Sequence, residues 1–258
     1  MKIIVYYSGG MDSTASLIWA VRTFINSDVI ALHSKLDVAL PVFDYIEDIT
    51  SKLGVKLVVI EPEKSLFDSF KKREIPWFSN PWCRKEFINK PLNEYIKKTY
   101  KIEDTILIFG GHKKEKIDKL LNSDGTFRKP NRTSYQRFSG IEKYQTIQPF
   151  FYLPKKEIEH FILNEGFDIW EGYKKGFVRT SCWICPFQSK KQSIALYKNN
   201  KELFEELERF ENMKGGCIKD GQPNCNKDDN IGICSWVRKW IESDYDYGDL
   251  LKYESKGE

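Results

Sequence analysis

The chain has no apolar run long enough to cross a membrane, no internal repeat and no G-x-x-x-x-G-K-S/T loop. Each absence removes a class of protein. A membrane helix needs about 20 consecutive apolar residues. Solenoids and propellers declare themselves by self-similarity, and the lysine loop marks enzymes that work at a terminal phosphate. Charge of one sign is also scarce: a net +4 over 258 residues suits an anionic ligand but is too mild to be a nucleic-acid footprint by itself. Histidine is rare, with three residues. His33 falls at the end of an expected strand and either touches a ligand base or sits satisfied in the core; His112 is placed near phosphate and His160 on a surface. The apolar start Ile3 to Tyr7 is short and runs straight into a loop, so it reads as a strand and not as a secretory signal. The six cysteines then favour reduced thiols, metal ligation or catalysis over a disulfide framework, and a cytoplasmic location is expected.

The chain is 41% hydrophobic and 14% aromatic, enough for one good core and a smaller appendage. Its first half alternates strand and helix. After Ile3 to Tyr7 come a helical face of Ala15, Leu17, Ile18, Val21 and Ile25, a strand at Val29 to Leu32, and a helix carrying Val42, Phe43, Ile46, Ile49 and Leu53 that stops at Gly54. Val55 to Ile60 reads as the third strand. Helical patterns follow at Phe67 and Phe70 and at Ile88, Leu92, Tyr95 and Ile96, before a fourth strand at Thr105 to Phe109. This order predicts an α/β fold, a doubly wound, mostly parallel sheet of five strands over residues 1–150, with a helical, cysteine-containing region over 151–258. Ligands of such sheets bind at the carboxyl ends of the strands, so Ser8 to Ser13, His33 to Asp37, Glu61 and Gly110 to His112 are expected to share one cleft.

The first of those ends carries Ser8-Gly9-Gly10-Met11-Asp12-Ser13. Two glycines let the backbone turn sharply and bring its N–H groups close to an anion, and the helix behind offers unpaired N–H groups and a positive dipole end. Ser8 and Ser13 can donate to phosphate oxygens. Asp12 would repel phosphate unless a cation such as Mg²⁺ lies between them. The plain alternative is a strand-to-helix turn with Asp12 or Ser13 as its cap.

As a whole the hexapeptide resembles the PP-loop of the ATP pyrophosphatase superfamily, whose sheet is of the adenine nucleotide alpha hydrolase-like type. The resemblance implies that the loop holds the pyrophosphate of ATP while an acceptor oxygen attacks the α-phosphate to give an adenylate, often replaced afterwards by sulfur. A second signal is Gly176-Phe177-Val178-Arg179-Thr180-Ser181-Cys182-Trp183-Ile184-Cys185-Pro186-Phe187. Its C-x-x-C turn brings two thiolates within reach of one zinc ion or iron–sulfur cluster. With Ile147-Gln148-Pro149, Trp170 and Tyr173 ahead of it, the segment is similar to the carboxyl-terminal signature of the phosphoadenosine phosphosulfate (PAPS) reductase family, Y-x-x-G-x-x-R-x-x-C-x-x-C-P-F. Pro81 to Leu92, with Cys83, resembles that family's single-cysteine segment ending in K-x-x-P-L, although Ile88 stands where its lysine is expected, leaving Lys90 or Lys85. Gly110 to Glu115 resembles its G-x-R-x-x-E turn, with Lys113 near the arginine.

Carried over residue by residue, the resemblance implies nucleotide contacts at Ser8, Gly9, Gly10, Asp12, Ser13, Leu32, His33, Gly110 and Lys113. It implies catalytic roles for Asp12, Lys90 and Arg179. Cys83, Cys182 and Cys185 are expected metal ligands. Cys234 is the expected fourth, because the segment around it leads into an apolar helix that can dock on the core, whereas Cys217 and Cys225 sit among polar residues. The cofactors implied are ATP with Mg²⁺ and an iron–sulfur cluster, with zinc as the alternative. A sulfur-donor protein or sulfide, and a second copy of the chain as a homodimer, are the expected partners.

Between Asn122 and Tyr144 the pattern breaks into a loop carrying Arg128, Lys129, Arg132, Arg137 and Lys143, interleaved with Phe127, Tyr135 and Phe138. It reads either as a lid over phosphates and a nucleic-acid acceptor, or as a solvated excursion. Glu202, Glu205, Glu206, Glu208 and Glu211, spaced around Leu203, Phe204, Leu207 and Phe210, read as the solvated face of an amphipathic helix. Two other functions stay open. One is sulfonucleotide reduction by a cysteine thiolate, for which the E-C-G-x-H tail of such reductases is not found; the other is a nucleotide-binding subunit without turnover of its own.

Overall fold

Alternation along the first strand, β1 (Lys2–Tyr6), sets the architecture. Ile3 and Val5 face one core and Ile4 faces another, all three fully buried, so both faces of the strand are covered. The computed structural model describes residues 1–76, 80–111, 141, 143–214 and 233–242. Behind β1 come α1 (Met11–Thr23), β2 (Asp28–Ser34), α2 (Phe43–Lys52), β3 (Lys56–Ile60) and α3 (Leu66–Lys72). A short turn of helix, α4 (Trp82–Arg84), continues through a π-helical turn at Lys85–Asn89 into α5 (Lys90–Thr99), followed by β4 (Thr105–Phe109) and β5 (Gln145–Ile147).

The sheet order is β3-β2-β1-β4-β5, and every neighbouring pair is parallel. Ile4 lies opposite Ile30 on one side and Leu107 on the other. The connection out of β1 therefore turns one way to β2, while β4 docks on its opposite edge. That reversal opens a crevice above the carboxyl ends of β1 and β4. Helices cover both faces: Leu17 and Ala20 of α1 and Ile46 and Ile49 of α2 join Ile3 and Val5, whereas Leu92 and Ile96 of α5 join Ile4, Ile30, Leu32, Leu107 and Phe109. The sheet is thus doubly wound, as its alternating pattern predicts.

The other side of α1, with Met11, Ala15 and Ile18, packs on Ile158 and Ile162 of α6 (Lys155–Asn164). Three further helices, α7 (Lys190–Asn199), α8 (Lys201–Met213) and α9 (Ile233–Glu242), close the described part of the chain. They share the first core rather than forming one of their own: Phe210 of α8 stands 6.0 Å from Phe67 and 6.2 Å from Phe70 of α3, ring to ring.

Three details depart from the sequence reading. The fifth strand is the short Gln145–Ile147, which carries too little pattern to be placed in advance. Ile25 is 81% exposed, because α1 ends at Thr23 and the chain has already turned toward β2. Glu211, expected on the solvated face of α8, is buried and accepts the Cys234 N–H at 2.9 Å. Of the basic loop, Ile141 and Tyr144 are buried in the second core and Lys143 is exposed. Arg128, Lys129, Arg132 and Arg137 lie outside the described residues, as do His112, Lys113, Cys217 and Cys225.

Candidate functional site

The loop after β1 is shaped by glycine for two different reasons. Gly9 has φ +72°, and a Cβ there would stand 2.8 Å from Val42 and 2.9 Å from Ile46, so both conformation and space exclude a side chain. Gly10 caps α1 with no side-chain hydrogen bond to the helix's first turn. The start of the helix is held instead by hydroxyls. Ser13 Oγ accepts the Ser8 N–H at 3.2 Å, lies 3.1 Å from Ser8 Oγ and donates to the Gly10 carbonyl at 2.9 Å, while Met11 N–H donates to the Tyr173 hydroxyl at 3.1 Å. Gly110 at the end of β4 presses on the same point: a Cβ on it would meet Ser13 N at 2.6 Å and Ser13 Cα at 2.7 Å.

These elements open into a cavity of about 680 Å³. Ser8, Gly10, Asp12, Ser13, Leu32, His33, Gly110 and Arg179 line it, all of them marked by the sequence. Gly9 supports the loop from below. Lys90 is brought elsewhere: it pairs with Glu94 at 3.9 Å on the exposed side of α5, while Ile88 and Leu92 line the cavity. Residues two apart on a helix point about 200° from one another, so a chain that turns Ile88 and Leu92 inward turns Lys90 out.

Sequence reasoning missed Lys155, Thr180 and Ser189 as lining residues and assigned Tyr173 no contact. Tyr173 stood in the family motif, a usable signal; Lys155 had none beyond its place at the start of a helix. The lining thus combines polar groups from the loop, Lys155, Arg179 and Thr180 with the aromatic and aliphatic side chains of Tyr6, Leu32, Ile88, Leu92 and Phe109. His33 is also in the lining. Its Nδ1 donates to the Tyr7 carbonyl at 2.9 Å, and burial pulls its pKa below the ordinary 6.5. The ring is therefore neutral near pH 7, leaving Nε2 as an acceptor.

The segment from Val178 to Trp183 faces the loop and is fastened from two sides. Buried Gln192 accepts the Val178 N–H at 2.8 Å and donates to the Arg179 carbonyl at 3.1 Å. Backbone bonds from Leu40 to Ser181 and from Trp183 to Val38 tie the next residues to the loop after β2. Arg179 joins the cavity to the cysteines: Nη2 donates to the Phe187 carbonyl at 2.6 Å and lies 3.6 Å from Cys185 Sγ.

Cys83, Cys182 and Cys185 come within electrostatic reach of one another although 99 residues separate the first two. Burial first, and Cys185 second, push the Cys83 thiol up to about 11. The same causes, with Cys83 itself, raise Cys182. Clustered thiols that resist ionisation suit a cationic metal or cluster that takes the place of their protons. As placed, no three His, Cys, Asp or Glu side chains among the described residues are arranged to hold a metal. At Cys234, burial and the neighbouring Glu211 raise the thiol, and Glu208 and Arg238 are its other charged neighbours.

A glycine and serine loop at the switch point of a doubly wound parallel sheet, with a cation facing it, defines an α/β protein with its cleft at the carboxyl ends of β1 and β4. Residues 2–188 match the phosphoadenosine phosphosulfate reductase domain, and the chain belongs to that family. It is 24% identical over 227 residues to the uncharacterized protein MJ0066 of Methanocaldococcus jannaschii, covering 85% of this chain and 45% of that protein. The chain thus spans less than half the length of the curated relatives it matches. Among solved structures, the U34-tRNA thiolase NcsA from Methanococcus maripaludis with its 4Fe–4S cluster is 15% identical, with a TM-score of 0.42 over 93% of this chain and 80% of that one. A 4-thiouridine synthetase–RNA complex with bound ATP is 14% identical, with a TM-score of 0.48 over 82% of this chain and 52% of that one. No helix among the described residues is long and apolar enough to cross a membrane.

Proposed function

We propose that the cleft binds ATP with Mg²⁺ and adenylates an acceptor, in preparation for sulfur transfer. The observation that carries this reading is the complete loop Ser8 to Ser13 at the mouth of β1, facing Arg179, which in turn reaches Cys185. The β and γ phosphates lie on the loop, where the N–H groups at the start of α1 and the hydroxyls of Ser8 and Ser13 bind them. Asp12 reaches Mg²⁺, the one role that reconciles a carboxylate with a phosphate cradle. The base lies toward Leu32 and His33, whose neutral Nε2 accepts a hydrogen bond.

The acceptor oxygen forms a bond to the α-phosphorus, the bond to the bridging oxygen breaks, and that electron pair leaves with pyrophosphate. Arg179 balances charge on the α-phosphate side of the cleft. Cys83, Cys182 and Cys185 are the residues that would hold an iron–sulfur cluster, which when bound supplies sulfur or electrons beside the activated acceptor. Zinc is the competing occupant. The cations of the 122–144 loop make a nucleic acid the acceptor class we favour, and the protein contributes a thiolating activity to such a substrate.

The test is the fragment released from labelled ATP. Pyrophosphate release that needs Mg²⁺, and that Asp12→Ala abolishes without unfolding the protein, supports the reading; inorganic phosphate, or undiminished turnover by Asp12→Ala, refutes it. Membership of the PAPS reductase domain family favours a second reading, sulfonucleotide reduction. Sulfite release from a sulfonucleotide and a reductant, with no consumption of ATP, would establish it instead.

A further inference from the structure

Three hydroxyls from distant parts of the chain meet over Gly10, and only Ser8 belongs to the loop. The position that a Cβ on Gly10 would take lies 3.0 Å from Thr180 Oγ1, 3.3 Å from Ser8 Oγ and 3.9 Å from the Tyr173 hydroxyl. Glycine leaves that position open, and all four residues line the cavity. Both distant hydroxyls are carried on fastened backbone. Tyr173 ends a 3₁₀ turn, Glu171–Tyr173, with its ring 5.6 Å from that of Trp170, whose indole donates to the Pro41 carbonyl at 3.2 Å. Thr180 sits between Arg179, whose carbonyl accepts from Gln192, and Ser181, whose carbonyl accepts the Leu40 N–H at 3.1 Å. Their donors are unspent: the Tyr173 oxygen accepts the Met11 N–H at 3.1 Å, but no group among the described residues accepts its proton, and the Thr180 hydroxyl bonds to none of them. Burial, with Asp12 nearby, raises the Tyr173 pKa above the ordinary 10, so the phenol keeps that proton at neutral pH.

The geometry points to Tyr173 and Thr180 as binding residues that donate to a phosphate oxygen of a nucleoside triphosphate seated beside the open position over Gly10. This rests on the adenylation reading, in which the β and γ phosphates lie on the loop. Both hydroxyls lie within 3.9 Å of one point, so a single anionic oxygen there can accept from the two of them. An amide that donates to the Tyr173 oxygen polarises its O–H, and the first N–H of α1 thereby acts on the anion through the phenol. The phosphates are then gripped from both sides, by the start of α1 and by the segment that leads to Cys182.

The experiment compares the parent chain with Thr180→Val, Thr180→Ser and Tyr173→Phe. Binding of Mg²⁺-pyrophosphate and of AMP is measured by calorimetry, beside thermal denaturation and pyrophosphate release from ATP. Each lost hydroxyl removes one bond to a charged group, so pyrophosphate affinity should fall about 10- to 100-fold in Thr180→Val and in Tyr173→Phe, with AMP affinity unchanged. Thr180→Ser keeps the hydroxyl and should bind like the parent. A packing role for Thr180 would reverse that order, because Val keeps the shape and Ser does not. Tyr173→Phe keeps the ring on Trp170 but takes the acceptor from Met11, so it alone is expected to melt lower. Pyrophosphate bound by Thr180→Val or Tyr173→Phe as tightly as by the parent or more tightly, no pyrophosphate binding by the parent, an equal loss of AMP binding, or a loss in Thr180→Ser equal to that in Thr180→Val overturns the inference. If the parent binds pyrophosphate through both hydroxyls but never releases it from ATP, adenylation fails while the anion contact stands.

Discussion

Gly110→Ala tests how the cleft is built with a single methyl group. Gly110 has no left-handed backbone to protect, so the substitution acts through space alone. Its Cβ would lie 2.6 Å from Ser13 N, 2.7 Å from Ser13 Cα and 2.9 Å from Asp12 C, where ordinary contact begins near 3.4 Å. The overlap of about 0.8 Å is with backbone, so no side chain can swing away to relieve it. Either β4 or the start of α1 must move. Overpacking of this kind costs about 1 to 3 kcal/mol, or about 2 to 12 °C in melting temperature for a chain of this size. Because the displaced atoms belong to the phosphate loop, the affinity for Mg²⁺-ATP is expected to fall by a further about 10- to 100-fold, the worth of one charge-assisted hydrogen bond. Gly54→Ala is the control: it has φ +64° and nothing within 4 Å of the new Cβ, so it should cost about 1 to 2 kcal/mol of stability through backbone strain and leave nucleotide affinity alone. Calorimetric titration with Mg²⁺-ATP beside thermal denaturation separates the two effects. Gly110→Ala protein that binds nucleotide like the parent would refute the view that β4 and α1 close on one anion site.

Gln192→Leu removes the two bonds that fasten Val178 and Arg179 from a buried position and should cost about 2 to 4 kcal/mol in denaturant unfolding, with lowered turnover; a loss under about 0.5 kcal/mol would show that the segment is held elsewhere. In anaerobically prepared protein, Ala in place of Cys83, Cys182 or Cys185 should each remove bound iron and sulfide, or zinc, whereas Cys234→Ala should keep the metal, since Cys234 faces Glu211. Equal loss from all four would make Cys234 the fourth ligand. His33 is held neutral in the fold with its pKa below 6.5, so the unfolded chain binds the extra proton first and stability falls as pH drops below about 6.5. His33→Asn should flatten that part of the stability profile while keeping a donor to the Tyr7 carbonyl, and an unchanged profile would mean that His33 does not carry the proton.

The sheet and the loop were legible because their causes are local. Period-two burial in Ile3, Ile4 and Val5, helical spacing in Ile46 and Ile49, and two adjacent glycines behind a strand each express a rule that operates within a few residues. Gln145–Ile147 escaped because three residues show no period, and its pairing with β4 comes from tertiary contact. Lys90 pairs with Glu94 instead of lining the cavity for a geometric reason: a motif fixes which residues occur, while the rotation of the π turn and α5 on the sheet decides which of them face the cleft. Glu211 was misread because it was judged by its sequence neighbours, and its contact with the Cys234 amide depends on how α8 and α9 pack.

What the sequence by itself determined, then, was the α/β order, the phosphate-shaped loop, the C-x-x-C turn and family membership, all written in short spacings. Only the tertiary structure decided that the Tyr173 hydroxyl meets the Met11 amide 162 residues away, that Lys155 stands over that ring, and that Cys83 draws near Cys185. Those contacts join segments whose separation along the chain carries no periodic signal. They are fixed by which apolar faces must be buried together, and the polar groups that define the site are carried to their places by that packing.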